Sequence, residues 1–502
     1  MNGTACAWES LPDSVLHAVA QKLSRFELES WSWRRCKALR GTCRAWRRAV
    51  GNGGARALLA DGPYPSSAGY LLHGVTSVDW TRPSRDLSRV PFDNVTHIRM
   101  MWLGGSAVRL MWLGDSPRDS SQRESDTVLS FLTSDSRPVN LVSLDLAGVA
   151  SLSDQAVDAI CSLPSLRKIS LDCYFSCDVL KKLAHHGGLT HVRLLRARTA
   201  SDDGLLALGD MDSLTSLHLQ GCLTVTDAGF ERLGRLSALH LVDCGPVDGS
   251  CFGHLVGLKF LRVEPHPPDD RPRPPPPPSL RLLKCLPLLD TLVVPGELVH
   301  PGDLDLPGLR TLKIASPAGD GRLLGMRNRQ VLAGELWTLR NLTSLDVSKV
   351  GDVRVVDLSP LSGLKSLKIA KFRSKLPVTL HDVHMRKAFE ALADTLPSLT
   401  SLDLSHPCQR VYYCKEALAV VKDRMKSLAS LDLSWGVIHQ DDAMACLASL
   451  KDLNLSSCQG SVSDDGMMHL SRLELLNLTS SRWHATDRGV EALARHVGKM
   501  LM

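Results

Sequence analysis

Cys173 and Cys177 are followed closely by His185 and His186, thiol and imidazole groups of the kinds that ligate zinc. Their spacing matches no standard zinc finger, and both thiols fall in a turn between periodic segments, so a turn and loop is expected and no metal. His406, Cys408 and Cys414 form a weaker cluster of the same kind. The chain has no Gly-x4-Gly-Lys-Ser/Thr phosphate loop and no Gly-x-Ser-x-Gly nucleophile turn. Its carboxylates are scattered, with none tied to a His or Lys by spacing. These features predict a chain that is not an enzyme and requires no cofactor. A different set of residues suits binding. Arg193, His218, His240, Arg262, Lys313 and Lys368 recur at one position of a repeated frame, where like charges raise the local potential and attract an acidic or phosphorylated partner. The two imidazoles would gain charge as pH falls toward about 6.

The frame that places them is Leu-x-x-Leu-x-Leu. Fourteen copies run from Leu141-Leu144-Leu146 to Leu473-Leu476-Leu478. Two weaker ones precede them, Val75-Val78-Trp80 and Val95-Ile98-Met100. Most copies are spaced by roughly 20–25 residues, the period of leucine-rich repeats. The last two apolar positions alternate with polar ones, which is strand periodicity. The residues that follow carry helical apolar spacing, as in Ala156-Val157-Ile160. One strand and one helical turn cannot bury a leucine face alone, but stacked copies can. The predicted fold is therefore α/β, a leucine-rich-repeat horseshoe solenoid with its parallel sheet on the concave face and helices on the convex face. Residues beside the leucines point to the concave surface because strand side chains alternate. The position before the last leucine reads Asp145 and Ser170, then mostly basic or His from Arg193 to Lys368, then acidic at Asp403 and Asp432.

Several copies continue into a Thr/Ser-Asp pair, as in Thr226-Asp227, Ser153-Asp154 and Thr486-Asp487, often with Gly close behind. The pair suits a helix N-cap. Cys173, Cys222, Cys244 and Cys458 fall just after the strand, and the whole resembles the cysteine-containing subclass of leucine-rich repeats. Three intervals exceed one repeat. Residues 101–138 are rich in Ser, Asp, Arg and Gly and read as a loop or disordered insertion. Residues 265–278 are Pro-rich and read as an extended polyproline segment at the surface. Residues 372–396 have helical spacing and enlarge one repeat.

Residues 11–50 differ in kind. Leu11-Pro12 opens a helix carrying Val15 and Leu16, and Leu39-Arg40-Gly41-Thr42-Cys43-Arg44-Ala45-Trp46 closes the segment. This resembles an F-box, with extra residues at 29–37. Before leucine-rich repeats it makes the chain similar to the F-box/leucine-rich-repeat proteins, the substrate receptors of Skp–cullin–F-box ubiquitin ligases. The resemblance implies a head at 1–56, degenerate repeats and the polar insertion at 57–140, and repeats at 141–502. It implies that Leu11, Pro12, Val15, Leu16, Leu39 and Trp46 meet a Skp-type adaptor, and through it a cullin, while the concave face takes a target for ubiquitin-dependent degradation. The alternative is a non-degradative scaffold whose head only caps the first repeat. A third reading, regulation of a GTPase as by leucine-rich-repeat activators, would rest on Arg198. The formal net charge of +6 is spread without a dense basic block, so no nucleic-acid partner is expected. No run of about 18 uncharged apolar residues and no secretory leader is present, so a cytoplasmic or nuclear chain with free thiols and no membrane contact is expected.

Overall fold

The frame fixes the register of the strands. In the computed structural model, the residues described are 57–61, 77–81, 95–101, 125–133 without 127, 138–264 without 177, 245 and 246, 279–315, 334–348, 358–369, 381–405, 411–483 without 471 and 472, and 486, 489, 491, 493 and 499–501. They fall into two compact units, Met1–Leu255 and Val256–Met502. The head, with Leu11, Pro12, Val15, Leu16, Leu39 and Trp46, lies outside the described residues, as do Cys177, His406, Cys408 and the Pro-rich run 265–278.

The first unit is a ladder of parallel strands: β1 (Ala57–Asp61), β2 (Ser77–Thr81), β3 (His97–Met101), β4 (Ser143–Ser151), β5 (Lys168–Tyr174), β6 (His191–Leu195), β7 (Ser216–Gln220) and β8 (Ala238–Val242). The middle apolar residue of each frame faces its counterpart, Ile98 to Leu144 to Ile169 to Val192 to Leu217 to Leu239. All of these are buried, and each such side chain contributes roughly 1.5–3 kcal/mol. The second unit repeats the pattern through β9 (Phe260–Glu264), β10 (Thr291–Pro295), β11 (Thr311–Ala315), β12 (Ser344–Asp346), β13 (Ser366–Lys368), β14 (Ser401–Asp403), β15 (Ser430–Asp432), β16 (Asp452–Asn454), β17 (Leu475–Asn477) and β18 (Lys499–Leu501), again parallel. Each unit is thus an α/β leucine-rich-repeat solenoid.

In the first unit the return path follows repeat length. Between Leu141 and Leu166, and between Leu189 and Leu214, there is room for the eight-residue helices α1 (Asp154–Cys161) and α2 (Asp202–Gly209). The shorter repeats that follow hold only 3-10 turns, Asp227–Phe230 and Ser250–His254. The long interval 372–396 carries the expected helix, α3 (His381–Thr395), which buries Met385, Phe389 and Leu392. The reading of 101–138 as a loop or disordered insertion needs correction near its end. Residues 125, 126 and 128–133 are helical, because Val128, Phe131 and Leu132 make an apolar face at helical spacing, and all three are buried. Ser125 ties this helix to the next repeat, accepting from Ser153 N and donating to Ser153 Oγ, both at 2.9 Å. No helix among the described residues is long and apolar enough to cross a membrane.

Two features recur at the strand ends. Three residues beyond the central outward position the chain turns left-handed: Gly148, Arg196, Gly221 and Asp243 in the first unit, and Trp435, Ser457 and Ser480 in the second. Glycine suits that turn, and each non-glycine residue there costs roughly 1–2 kcal/mol. In the second unit the central residue also folds back on its own strand. Asp346, Asp403, Asp432, Asn454 and Asn477 each accept from the backbone N–H two residues on. That local bond ends β12 and β14 to β17 early.

The Thr/Ser-Asp pair does more than cap. Ser201 caps α2 by accepting from Gly204 N. The following Asp202 reaches into the next repeat, where Oδ1 accepts from Thr226 N at 2.8 Å and Oδ2 from the Thr226 hydroxyl at 2.6 Å. Asp227 does the same one repeat later, accepting from the N–H groups of Asp248, Gly249 and Cys251. Burial alone would raise the Asp227 pKa, but these donors, led by Cys251 N–H, hold it below the ordinary value. In the second unit, Asp441 binds the N–H and hydroxyl of Ser463, and Asp464 those of Thr486. The glycine of the motif makes room for this contact: a Cβ on Gly229 would stand 2.7 Å from Asp202 Oδ1.

Replacing Asp202 by Ala should therefore destabilise the first unit by about 1–3 kcal/mol, the cost of stranding partly buried donors. Gly229→Ala should also destabilise, but less when Asp202 is already Ala, since the crowding oxygen is gone. A double-mutant cycle read by thermal unfolding checks this, and strictly additive losses would show that the carboxylate and the glycine are not coupled.

Candidate functional site

Within the first unit, β4 to β8 each present outward side chains on one face, and register sets their neighbours. At the central position Asp145, Ser170, Arg193, His218 and His240 lie strand by strand. At the preceding outward position lie Ser143, Lys168, His191, Ser216 and Ala238. Three of the six residues singled out in the sequence, Arg193, His218 and His240, are thus on adjacent strands. The rings of His218 and His240 stack with centroids 4.9 Å apart and planes 7° from parallel.

The carboxylates of this face are held by other cations. Asp145 pairs with Arg99 at 3.4 Å, and Asp172 pairs with Arg196 Nε at 2.7 Å. Arg196 is further anchored to the carbonyls of Asp172 and Val149. Among the described residues, neither Lys168 nor Arg193 has a carboxylate within ion-pair distance, and both are exposed. His191 stands between them, beside Lys168 in register and two residues before Arg193. Partial burial, and then the charge of Lys168, hold its pKa below the ordinary histidine value. Lys168 and His191 escaped the sequence reading because it followed one outward position per strand; the same alternation places both on this face.

The remaining three, Arg262, Lys313 and Lys368, belong to the second unit, where each meets a carboxylate. Arg262 binds Glu264 through Nε at 3.0 Å and Nη2 at 2.8 Å. Lys313 lies 3.5 Å from Asp346, and Lys368 lies 2.5 Å from Asp403. For Lys368, burial alone would lower the pKa, yet the bond to Asp403 and the charges of Asp346 and Asp432 raise it overall. Val293, on the strand between Arg262 and Lys313, is buried. These three cations are therefore compensated, while Lys168 and Arg193 of the first unit are not.

Three of the described thiols are poor nucleophiles. Burial pushes Cys161 to about 11 and Cys173 and Cys458 to about 12. His185 donates through Nδ1 to the Lys181 carbonyl at 2.6 Å, closing a local turn, and His186 through Nε2 to that of Leu163 at 2.8 Å, reaching the preceding repeat. No three metal-binding side chains converge among the described residues. Arg198 is exposed in the turn after β6.

Lys168→Gln should raise the His191 pKa toward the histidine norm, because it removes the charge that opposes imidazolium. An NMR titration of the His191 ring checks this. An unmoved midpoint would assign the depression to burial alone.

Neither a protein-family model nor a curated protein sequence matches the chain. Solved structures similar to it include an internalin from Listeria monocytogenes, at 15% identity, covering 84% of this chain and 94% of that one, with a TM-score of 0.34. TLR13 in complex with ssRNA13 is similar at 13% identity, 86% and 78% coverage and a TM-score of 0.42. A leucine-rich-repeat protein of Leptospira interrogans is similar at 16% identity, 87% and 92% coverage and a TM-score of 0.33. The repeat fold of this chain is carried by its own strand register, and likenesses at these scores add no argument about what it binds.

Proposed function

We propose that this protein is the substrate receptor of a Skp–cullin–F-box type ubiquitin ligase, with the head docking on the Skp adaptor and the strand face of the first unit taking the target protein. A leucine-rich-repeat solenoid holds side chains on rigid strands, which suits protein interaction. The observation that carries the target site is the pair Lys168 and Arg193, left without carboxylates on an exposed strand face while their neighbours are compensated. An uncompensated cationic face favours an acidic or phosphorylated partner, chiefly through encounter rate and specificity. The adaptor role is supported by the Leu-Pro entry at Leu11-Pro12 and the Cys43-x-x-Trp46 closure of the head. Such a receptor needs no catalytic residue of its own, since transfer of ubiquitin belongs to other subunits.

Ala at both Leu11 and Pro12 should abolish retention of a Skp adaptor in a pull-down while leaving the thermal unfolding of the repeats nearly unchanged. Retained adaptor would reduce the head to a cap and the protein to a non-degradative scaffold. Arg193→Glu should weaken target capture about tenfold or more, by turning an attraction into a repulsion, with Arg262→Glu weaker in effect and Arg495→Glu neutral. The capture should also weaken as salt rises, because screening acts over about 8 Å at physiological ionic strength. Equal capture by the three variants would place recognition elsewhere.

A further inference from the structure

The three residues His191, Lys168 and Arg193 differ in what they offer a ligand. Lys168 and His191 face one another across paired strands, about 4.8 Å apart at the backbone. His191 and Arg193 share a face of β6, about 6.6 Å apart along it. The two cations are donors only and carry a full charge each. His191 is different. Its Nδ1 lies 2.9 Å from the Thr190 hydroxyl, and that hydroxyl gives its single hydrogen to the Arg167 carbonyl at 3.0 Å. The imidazole must then be the donor at Nδ1, which leaves the Nε2 lone pair open. The cluster thus presents two positive donors and one acceptor within the reach of one small group.

We propose that Lys168, His191 and Arg193 form a subsite for a phosphate monoester, carried on a serine or threonine side chain of the partner that binds the strand face of the first unit. The inference rests on the reading of that face as the target site. A phosphate monoester has two negative charges to share between two cations, and three terminal oxygens set in different directions. Its second proton leaves near pH 6, in the range where an imidazole takes one up, so the monoester and Nε2 can share a single proton, and the ester carries both of its charges when that proton sits on the ring. A carboxylate is planar, carries one charge and holds no proton at neutral pH, so one cation and the imidazole stay unsatisfied. A phosphodiester likewise carries one charge and no such proton. Arg193 can grip two oxygens at once, and Lys168 supplies a point charge beside them. Asp145 and Asp172, the nearest carboxylates in register, do not compete, because Arg99 and Arg196 hold them.

The test uses the full chain and four fluorescent probes: an extended Ala/Gly peptide with one phosphoserine, the same peptide with Ser, the same with Glu, and a short single-stranded oligonucleotide. Fluorescence anisotropy should show the phosphoserine peptide binding about tenfold or more tightly than the Glu peptide, as expected of charge-assisted bonds. Lys168→Gln and Arg193→Gln should each weaken it about tenfold, and the exposed Lys365→Gln should not. All three changes lie at exposed positions, and unaltered thermal unfolding will show that the variants fold. Equal binding of the phosphoserine and Glu peptides, or no phosphoserine-dependent binding up to about 1 mM, overturns the proposal. So does tighter binding of the oligonucleotide that the same variants abolish, which would make the cluster a polyanion site. Failure here is separable from failure of the target face. If Arg193→Glu abolishes target capture but phosphatase treatment of the target does not, the face stands and the phosphate subsite falls. If Arg193→Glu leaves capture intact, the face falls first.

Discussion

The aspartate that begins the return segment of one repeat and binds the amide of the next is the contact on which the arrangement depends. A single copy of the frame cannot bury its leucines, so everything turns on how neighbours are held together. Backbone pairing holds the strands on one side. On the other side the repeats differ in length and carry either α-helix or 3-10 turn, so no regular packing could align them. Asp202, Asp227, Asp441 and Asp464 solve this by gripping backbone N–H groups, which every residue but proline supplies, and all but Asp227 add a Ser or Thr hydroxyl of the next repeat. The helices can vary while the joint between repeats stays constant.

Charge placement on the outward faces follows from where the other carboxylates sit. In the second unit, Asp346 and Asp403 accept the backbone N–H that ends their strand and also lie beside Lys313 and Lys368. Strand termination and neutralisation are one event there. In the first unit the strands end without such an aspartate, and Asp145 and Asp172 are drawn to Arg99 and Arg196. Lys168 and Arg193 are cations that this geometry leaves uncompensated. Proteins keep surface charges soluble in many ways, but two adjacent strand-borne cations around an open imidazole lone pair are a specific chemical feature.

The frame was legible because one spacing of leucines sets strand, register and core together. The helix at 381–395 was legible for the same reason, as apolar residues at helical spacing. What the sequence hid were relations between repeats of unequal length. Lys313 and Asp346 are far apart in the chain and adjacent only through the pairing of β11 with β12. The Thr/Ser-Asp pair reads as a cap, yet its aspartate serves a residue in the next copy, and nothing near it in sequence names that partner. The short helix holding Phe131 was hidden by polar neighbours that diluted its apolar face. The six outward residues looked like one basic strip because like letters were compared and their carboxylate neighbours were not.

The left-handed residue that closes β6, β7 and β8 has a geometric consequence for any partner. Because Arg196, Gly221 and Asp243 stop these three strands at the same row, each of them offers only two or three outward side chains, and none can lengthen to offer more. A partner that needs more contacts must run across the strands. An extended chain advances about 3.3 Å per residue, whereas the strands it crosses are about 4.8 Å apart. Three residues of such a chain span nearly the width of two strands. Because side chains of an extended chain alternate, those that face the strands come back into step with the repeats only at every sixth residue, across four strands, so the face reads a partner with a periodicity of six that neither molecule shows in its own sequence.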